Sequence, residues 1–265
     1  MMRRRRLFCL LAALMIGACT ARRLNDLDAQ LTDLDRQCGA ADEQRGDLDA
    51  CRQRYEALAE QALADARGAS DPLTRLAFDR VSATAAFHAG PLGAKTVSES
   101  TNEGTQLCKE LPQQDASAPR DCALIRLAYP LAVSADLARS LTVLLTKLDA
   151  LRQTNPAAQL PASDLPAVLS LYDWFQTEFD KVSWVRSKLT DPGVSEQLKA
   201  YVDDQRRAIY CWALKAYSLA FDVEGTTPAS LSALTTRKTA LRSRAEDSLG
   251  AIDCQTAPAL AVLPK

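Results

Sequence analysis

The chain has 265 residues, of which 47% are hydrophobic, and its formal net charge is −1 at neutral pH. This length is enough for one large globular domain or two small ones. Residues 22–65 contain eleven Asp and Glu but only six Arg. Because binding to a phosphate backbone needs a basic surface, the composition argues against a nucleic-acid partner.

The N-terminal segment has the layout of an export signal. Four arginines, Arg3–Arg6, precede an apolar run from Leu7 to Ile16, and small residues follow that run. An apolar run of about ten residues is roughly half the length that a membrane-spanning helix needs, so we expect a cleaved signal rather than a retained span. The sequence therefore predicts a signal peptide over residues 1–18.

The end of this segment, Ile16-Gly17-Ala18-Cys19, resembles the lipobox of bacterial lipoprotein signals, which ends in a cysteine. The resemblance covers this segment only. It implies cleavage before Cys19, a thioether-linked diacylglycerol on that cysteine and an acylated new N-terminus. Several acyl chains attach a protein firmly to a membrane, whereas a single chain does so only marginally. By the same resemblance, Thr20 in place of an aspartate points to the outer membrane; an ordinary secretory signal with a chance cysteine is the alternative.

The later cysteines favour disulfides, because an even number of cysteines in an exported chain is typical of a disulfide framework. Six cysteines allow 15 pairings, which sequence alone does not settle. No close Cys-x-x-Cys pair with histidine occurs among them, so neither a metal site nor another cofactor is expected. The six are Cys38, Cys51, Cys108, Cys122, Cys211 and Cys254.

Spacing favours one set of pairs. Cys38 and Cys51 lie at equal distances from the middle of a predicted turn over residues 42–46, which would place them opposite each other on two antiparallel helices. The second pair, Cys108 and Cys122, flanks the Pro-rich residues 111–119 and would close them into a loop. Cys211 and Cys254 are then left over.

The remaining chain is typical of helices throughout. Apolar residues recur every three or four positions from Leu24 onward, which is the spacing of one helical face, and no alternating run competes as a strand. Asp71-Pro72 and Thr227-Pro228 suit helix starts. Residues 90–104, rich in Gly, Ser and Thr, are predicted to be an exposed loop. The predicted helices cover about 24–38, 48–66, 71–90, 105–110, 121–129, 134–153, 164–189, 195–224 and 227–250.

These elements predict an all-α fold, an irregular bundle or array of about eight helices braced by disulfides. A tetratricopeptide-like helical solenoid is the alternative, although no period of about 34 residues carries a repeated pattern. Residues 19–23 are predicted to be the lipid attachment and a short tether. Residues 24–255 are then a single periplasmic domain, and residues 256–265 a C-terminal tail.

Few residues have the spacing of a catalytic site. His88, the only histidine, lies at the end of the third predicted helix, where the helix dipole favours a cation. The acid pairs Asp203-Asp204 and Glu246-Asp247 would suit a glycan-cleaving enzyme, but neighbours on a helix point about 100° apart and do not converge.

Aromatic residues are concentrated in the C-terminal half of the chain, where ten of the fifteen lie between Tyr172 and Phe221. Most keep helical spacing and predict a core between two long helices. Trp174 falls beside that apolar stripe, so we interpret Trp174 and Trp184, together with His88, as a candidate binding surface.

The sequence thus favours an outer-membrane-anchored periplasmic lipoprotein that acts as a non-enzymatic binding, scaffolding or envelope-assembly module. Its expected partners are the membrane, through Cys19, and a protein of the envelope. One alternative is a cell-wall glycan-acting enzyme that uses paired carboxylates. Another is a lipoprotein that neutralises a single partner protein through the acidic hairpin over residues 24–65.

Overall fold

The computed structural model describes residues 2–38, 47–111, 118–189 and 196–255, with side chains from residue 20 onward apart from that of Asp47. Within these ranges the chain forms eight α-helices of unequal length and no β-strand, so the predicted all-α, irregular arrangement is confirmed. The helices are α1 (Met2–Cys38), α2 (Asp47–Gly68), α3 (Pro72–His88), α4 (Ala94–Glu110), α5 (Ala118–Thr154), α6 (Leu165–Lys188), α7 (Glu196–Ala220) and α8 (Ser232–Leu249).

Backbone contacts divide the chain into two compact units, Met1–Tyr129 and Pro130–Lys265. The first unit holds α1 to α4 and the start of α5, and the second holds the rest of α5 with α6, α7 and α8. Because α5 runs unbroken through the boundary, the predicted single domain over residues 24–255 stays a prediction.

In the first unit, α1 and α2 form an antiparallel pair. Apolar residues of α1 at helical spacing, Leu27, Leu31 and Leu34, are buried in the core of this unit. The Cys38–Cys51 disulfide joins the two helices at one end, as the spacing predicted. The predicted turn over 42–46 lies outside the described residues.

Helix α3 begins where the sequence predicted. The carboxylate of Asp71 accepts hydrogen bonds from the backbone nitrogen of Thr74 at 2.8 Å and from its hydroxyl at 2.7 Å, and Pro72 occupies the first turn. These bonds satisfy donors that a helix N-terminus otherwise leaves unpaired, and they lower the pKa of Asp71.

The predicted exposed loop over residues 90–104 is wrong, because only Gly90–Gly93 form a turn and α4 begins at Ala94. A Cβ on residue 93 would lie 2.0 Å from the backbone oxygen of Ala86, so glycine is the residue that lets the chain turn this tightly. The small polar residues after the turn are typical of a loop in sequence, but they let α4 pack closely in the core.

The hydroxyls of α4 are satisfied inside the first unit. Ser100 hydrogen-bonds to Ser82 of α3 at 2.8 Å and donates to the backbone oxygen of Thr96 at 2.6 Å. Ser100 and Ser82 are fully buried. A helix rich in Ser and Thr therefore becomes a core element, because each buried hydroxyl has a partner. The Cys108–Cys122 disulfide then joins α4 to α5.

The predicted break between residues 129 and 134 is also wrong, since α5 continues through Pro130. A proline inside a helix removes one backbone hydrogen bond and costs about 3 kcal/mol. Leu127 and Leu131 on either side of the proline are buried, and the Ser134 hydroxyl donates to the backbone oxygen of Pro130 at 2.8 Å. Packing on both sides offsets the lost bond.

In the second unit, α6 packs against α7, and α7 against α8. Tyr172, Phe175 and Phe179 of α6 are buried, as their helical spacing predicted. The third disulfide, Cys211–Cys254, ties the segment after α8 to α7. Helix α8 begins at Ser232 rather than at Thr227-Pro228, because Thr227 caps a separate turn through reciprocal bonds with Ser230.

Candidate functional site

The exposed side of α6 carries the most distinctive surface of the second unit. Trp174 is 52% exposed and Trp184 is 49% exposed, and three further exposed residues lie on the same side of the helix. Successive members are three or four positions apart, so they form one stripe, and the two tryptophans are about 15 Å apart along the helix axis. We call this surface the tryptophan face; it consists of Trp174, Thr177, Lys181, Trp184 and Lys188.

Two of the five residues of this face are lysines, and each contacts another side chain of α6. The Lys188 ammonium lies 5.6 Å from the centroid of the Trp184 ring, within range of a cation–π interaction. The Lys181 ammonium lies 2.7 Å from Oε1 of Glu178, whose side chain is fully buried beneath the face. Burial raises the pKa of the Glu178 carboxyl, while the Lys181 ammonium opposes that shift. Lys188 thus lies against the Trp184 ring, and Lys181 lies over a buried carboxyl.

Helix α8 borders the tryptophan face. Asp173 pairs with Arg237, and Asp180 with Arg244 at 3.4 Å. Both ion pairs are solvent-exposed and contribute little stability, about 0–1 kcal/mol each. Each pair brings one guanidinium and one carboxylate to the border of the tryptophan face, so the two pairs add no net charge to it.

His88 belongs to the first unit, and its side chain is only 9% exposed. Its ring stacks on the Tyr55 ring with centroids 5.0 Å apart, and its Nε2 is 4.0 Å from Oδ1 of Asp35. The Tyr55 hydroxyl donates to the same oxygen at 2.8 Å. These three side chains come from α1, α2 and α3, so their mutual contacts join those helices in the interior.

Carboxylates of the acidic hairpin contact other side chains of the first unit, among them Asp28 with Arg80, Asp33 with Arg36, Asp35 with Tyr55 and Asp65 with Arg23. A partner protein would have to displace these internal ion pairs and hydrogen bonds to reach the carboxylates. The groove between α1 and α2 has a volume of 610 Å³, but Leu34 and Leu58 in its walls are 6% and 4% exposed, so these two leucines add little apolar surface to it.

The acid pairs that suited a glycan-cleaving enzyme are bound by neighbouring side chains. Asp203 contacts Arg186 at 3.0 Å and Arg206 at 2.9 Å. The next residue, Asp204, pairs with Arg207 at 2.8 Å. Glu246 likewise pairs with Arg242, and Asp247 accepts from Ser243. In both acid pairs the two carboxylates therefore contact different neighbours.

Like Glu178, a second buried acid was not predicted from the sequence. Asp79 of α3 is fully buried, and neither of its carboxylate oxygens has a hydrogen-bond partner. Burial raises its pKa to about 7, and the nearby Glu103 contributes to that rise, while Arg75 and Arg67 oppose it. Its position three residues after the buried Leu76, on an apolar stripe, was the available signal.

The backbone of Cys19 lies within α1. Among the helices that the structure describes, none is long and apolar enough to cross a bilayer. In the same described ranges, no group of three or more His, Cys, Asp or Glu residues is arranged to hold a metal ion.

Comparison with known proteins finds no match to this chain among family models, curated proteins or solved structures.

Proposed function

We propose that this protein is a lipoprotein of the outer membrane, exposed to the periplasm, and that it acts as a non-enzymatic binding or scaffolding module. The observation that carries the anchoring is the lipobox-like Ile16-Gly17-Ala18-Cys19 together with the cysteine pairing. The three disulfides use all six cysteines from residue 38 onward, so Cys19 is left as the thiol of the chain after cleavage.

The disulfides support an exported location. Each of them lies within one unit and joins two segments of that unit. Such bonds persist in oxidising compartments and are rare where cellular thiols keep cysteines reduced. A periplasmic chain with one additional cysteine directly after a signal-like segment is the arrangement that lipid attachment requires.

The tryptophan face supports binding as the activity. Exposed aromatic side chains are enriched among the residues that contribute most to protein–protein affinity. Lys181 and Lys188 beside Trp174 and Trp184 would favour a partner surface that presents apolar side chains next to carboxylates. The partner that fits this face is therefore an envelope protein with a mixed apolar and acidic surface.

We expect Cys19→Ala to abolish lipid attachment and to release the protein from the membrane fraction or leave its signal uncleaved. The reason is that the thioether can form only on the cysteine sulfur. Mass spectrometry of the N-terminal peptide and fractionation of the envelope measure this. The matched control is Cys9→Ala, which alters a cysteine inside the predicted signal and should leave lipidation unchanged. Wild-type protein that is soluble and carries no acyl mass would refute the anchor.

We expect a photo-crosslinking amino acid at Trp174 or Trp184 to form a discrete adduct with an envelope protein in intact cells. The same residue at Val143, which is 68% exposed on α5, is the matched control and should form none. Charge reversal by Lys181→Glu with Lys188→Glu should lower the adduct yield several-fold, because it would repel an acidic partner. Adducts that are absent from both tryptophan positions, or equally strong at Val143, would contradict binding by this face.

A further inference from the structure

Helix α1 extends through the proposed attachment point without a linker. Its backbone is helical from Met2 to Cys38, so Cys19 and the residues predicted to be a tether belong to the helix. Arg23 comes four residues after Cys19, which is about 6 Å along the axis. The headgroup layer of one leaflet is about 5–8 Å thick. A lipid on Cys19 would therefore place Arg23 at the outer edge of the headgroups.

Several helix ends of the first unit meet at this level. The Arg23 guanidinium contacts the Asp65 carboxylate of the last turns of α2 at 2.8 Å. The start of α3, the end of α4 and the start of α5 share a buried cluster of Leu76, Leu107, Ala118, Cys122 and Ile125. The chain turns from α2 into α3 over residues 69–71, where Ser70 and Asp71 are exposed.

The opposite end of the same unit carries the Cys38–Cys51 disulfide and the turn from α3 into α4. Leu92 in that turn is 50% exposed. Because α3 has 17 residues, the two turns are about 25 Å apart.

The outer side of α1 gives the helix no means of lying flat on a bilayer. Its exposed residues between Arg23 and Cys38 are polar, charged or alanine, whereas its leucines at 27, 31 and 34 are buried in the unit. Helices that lie in a membrane interface need a broad exposed apolar side. The exposed residues are Asn25, Asp26, Ala29, Gln30, Thr32, Arg36 and Gln37.

We infer that the end of the first unit formed by residues 65–73 rests on the lipid headgroups, and that the turn at Leu92 points away from the membrane. This inference rests on the proposed lipidation of Cys19. The surface is a docking surface for the bilayer itself. Because residues 19–23 are helical, they hold this end of the first unit at the headgroups, with α1 pointing away from the membrane.

The test couples the mature chain, starting at Cys19, to vesicles. With the six later cysteines oxidised, Cys19 is the single thiol and reacts with a maleimide-bearing lipid. A fluorescent amino acid is placed at Ser70 or, in the matched variant, at Leu92, and the vesicles contain nitroxide-headgroup lipid as the quencher. We expect several-fold stronger quenching at Ser70. Ten Gly and Ser residues inserted after Cys19 make a flexible tether and should remove that contrast.

Equal quenching at the two positions in the uninterrupted chain, or stronger quenching at Leu92, would overturn the inference. If quenching stays stronger at Ser70 than at Leu92 after the Gly-Ser insertion, then the helical residues 19–23 do not set the orientation. The coupling is chemical, so the result does not depend on whether cells lipidate Cys19. Failure of the orientation is thereby distinguished from failure of the proposed anchor, which mass spectrometry of the cellular protein tests.

Discussion

Replacing Asp79 by asparagine is expected to stabilise the first unit, and by more at pH 8 than at pH 5. The gain in the free energy of unfolding should grow by about 2–3 kcal/mol between these pH values. Asp79 is fully buried, and neither carboxylate oxygen has a hydrogen-bond partner, so the charged form is costly in the folded unit. Asparagine keeps a similar shape without the charge.

The direction of this pH dependence follows from the raised pKa of Asp79. An aspartate carboxyl in water has an ordinary pKa of 3.8, and in the folded unit the pKa of Asp79 is about 7. The native state therefore binds one proton more than the unfolded state between these values, and its stability falls by about 1.4 kcal/mol for each pH unit. The full stabilising contribution is present below the unfolded pKa and is lost as the pH rises towards 7. The asparagine variant does not undergo that loss.

The free energy of unfolding of the first unit at pH 5 and pH 8 is measured by hydrogen exchange of amides in α3 and α4, corrected for the intrinsic pH dependence of exchange. Tryptophan fluorescence does not report on the first unit, because all three tryptophans belong to the second. The matched control is Asp49→Asn, since the Asp49 side chain is 84% exposed and its replacement should leave the protection of α3 and α4 unchanged. A gain that is the same at pH 5 and pH 8 would show that Asp79 does not titrate in this range.

Removing the Cys211–Cys254 disulfide by Cys211→Ser with Cys254→Ser should lower the free energy of unfolding of the second unit by about 4 kcal/mol. The crosslink spans 43 residues, and the loss of loop-closure entropy in the unfolded chain grows with that separation. The same relation gives about 3 kcal/mol for Cys38–Cys51, which spans 13 residues.

Urea unfolding followed by tryptophan fluorescence is the measurement, because Trp174, Trp184 and Trp212 all lie in the second unit. Trp212 is the residue after Cys211 and reports on that helix directly. The control is Ser218→Ala, at an exposed position on the same helix, which should leave the urea midpoint unchanged. A urea midpoint that does not move in the double serine variant would mean that the crosslink does not stabilise the native unit.

Many helix positions and the favoured disulfide pairs could be predicted, with Cys211–Cys254 as the remaining pair, because most of their signals are local. Leu27, Leu31 and Leu34 repeat at helical spacing, and any helix with that pattern buries one side. Cys38 and Cys51 lie at equal distances from a turn, and antiparallel helices bring such positions together. Asp71 and Pro72 mark a helix start through bonds that reach only three residues along the chain.

The candidate site was predictable only in part. Trp174 falls beside Phe175 on α6, so its displacement from the apolar stripe could be read from spacing. The border of the tryptophan face depends on residues distant in sequence, because Asp173 and Asp180 of α6 pair with Arg237 and Arg244 of α8. Sequence alone did not show that His88 points inward, because its contacts with Asp35 and Tyr55 come from two other helices.

The sequence by itself determined the all-α class, the helical stripes and the signal-like segment that ends at Cys19, because each depends on residues close together in the chain. Only the tertiary structure decided that α4 is buried, that α5 continues through Pro130 and that Asp79 lies in the core without a hydrogen-bond partner. In each of these cases, packing by residues far away in sequence outweighs a local preference for a loop, a helix break or an exposed charge.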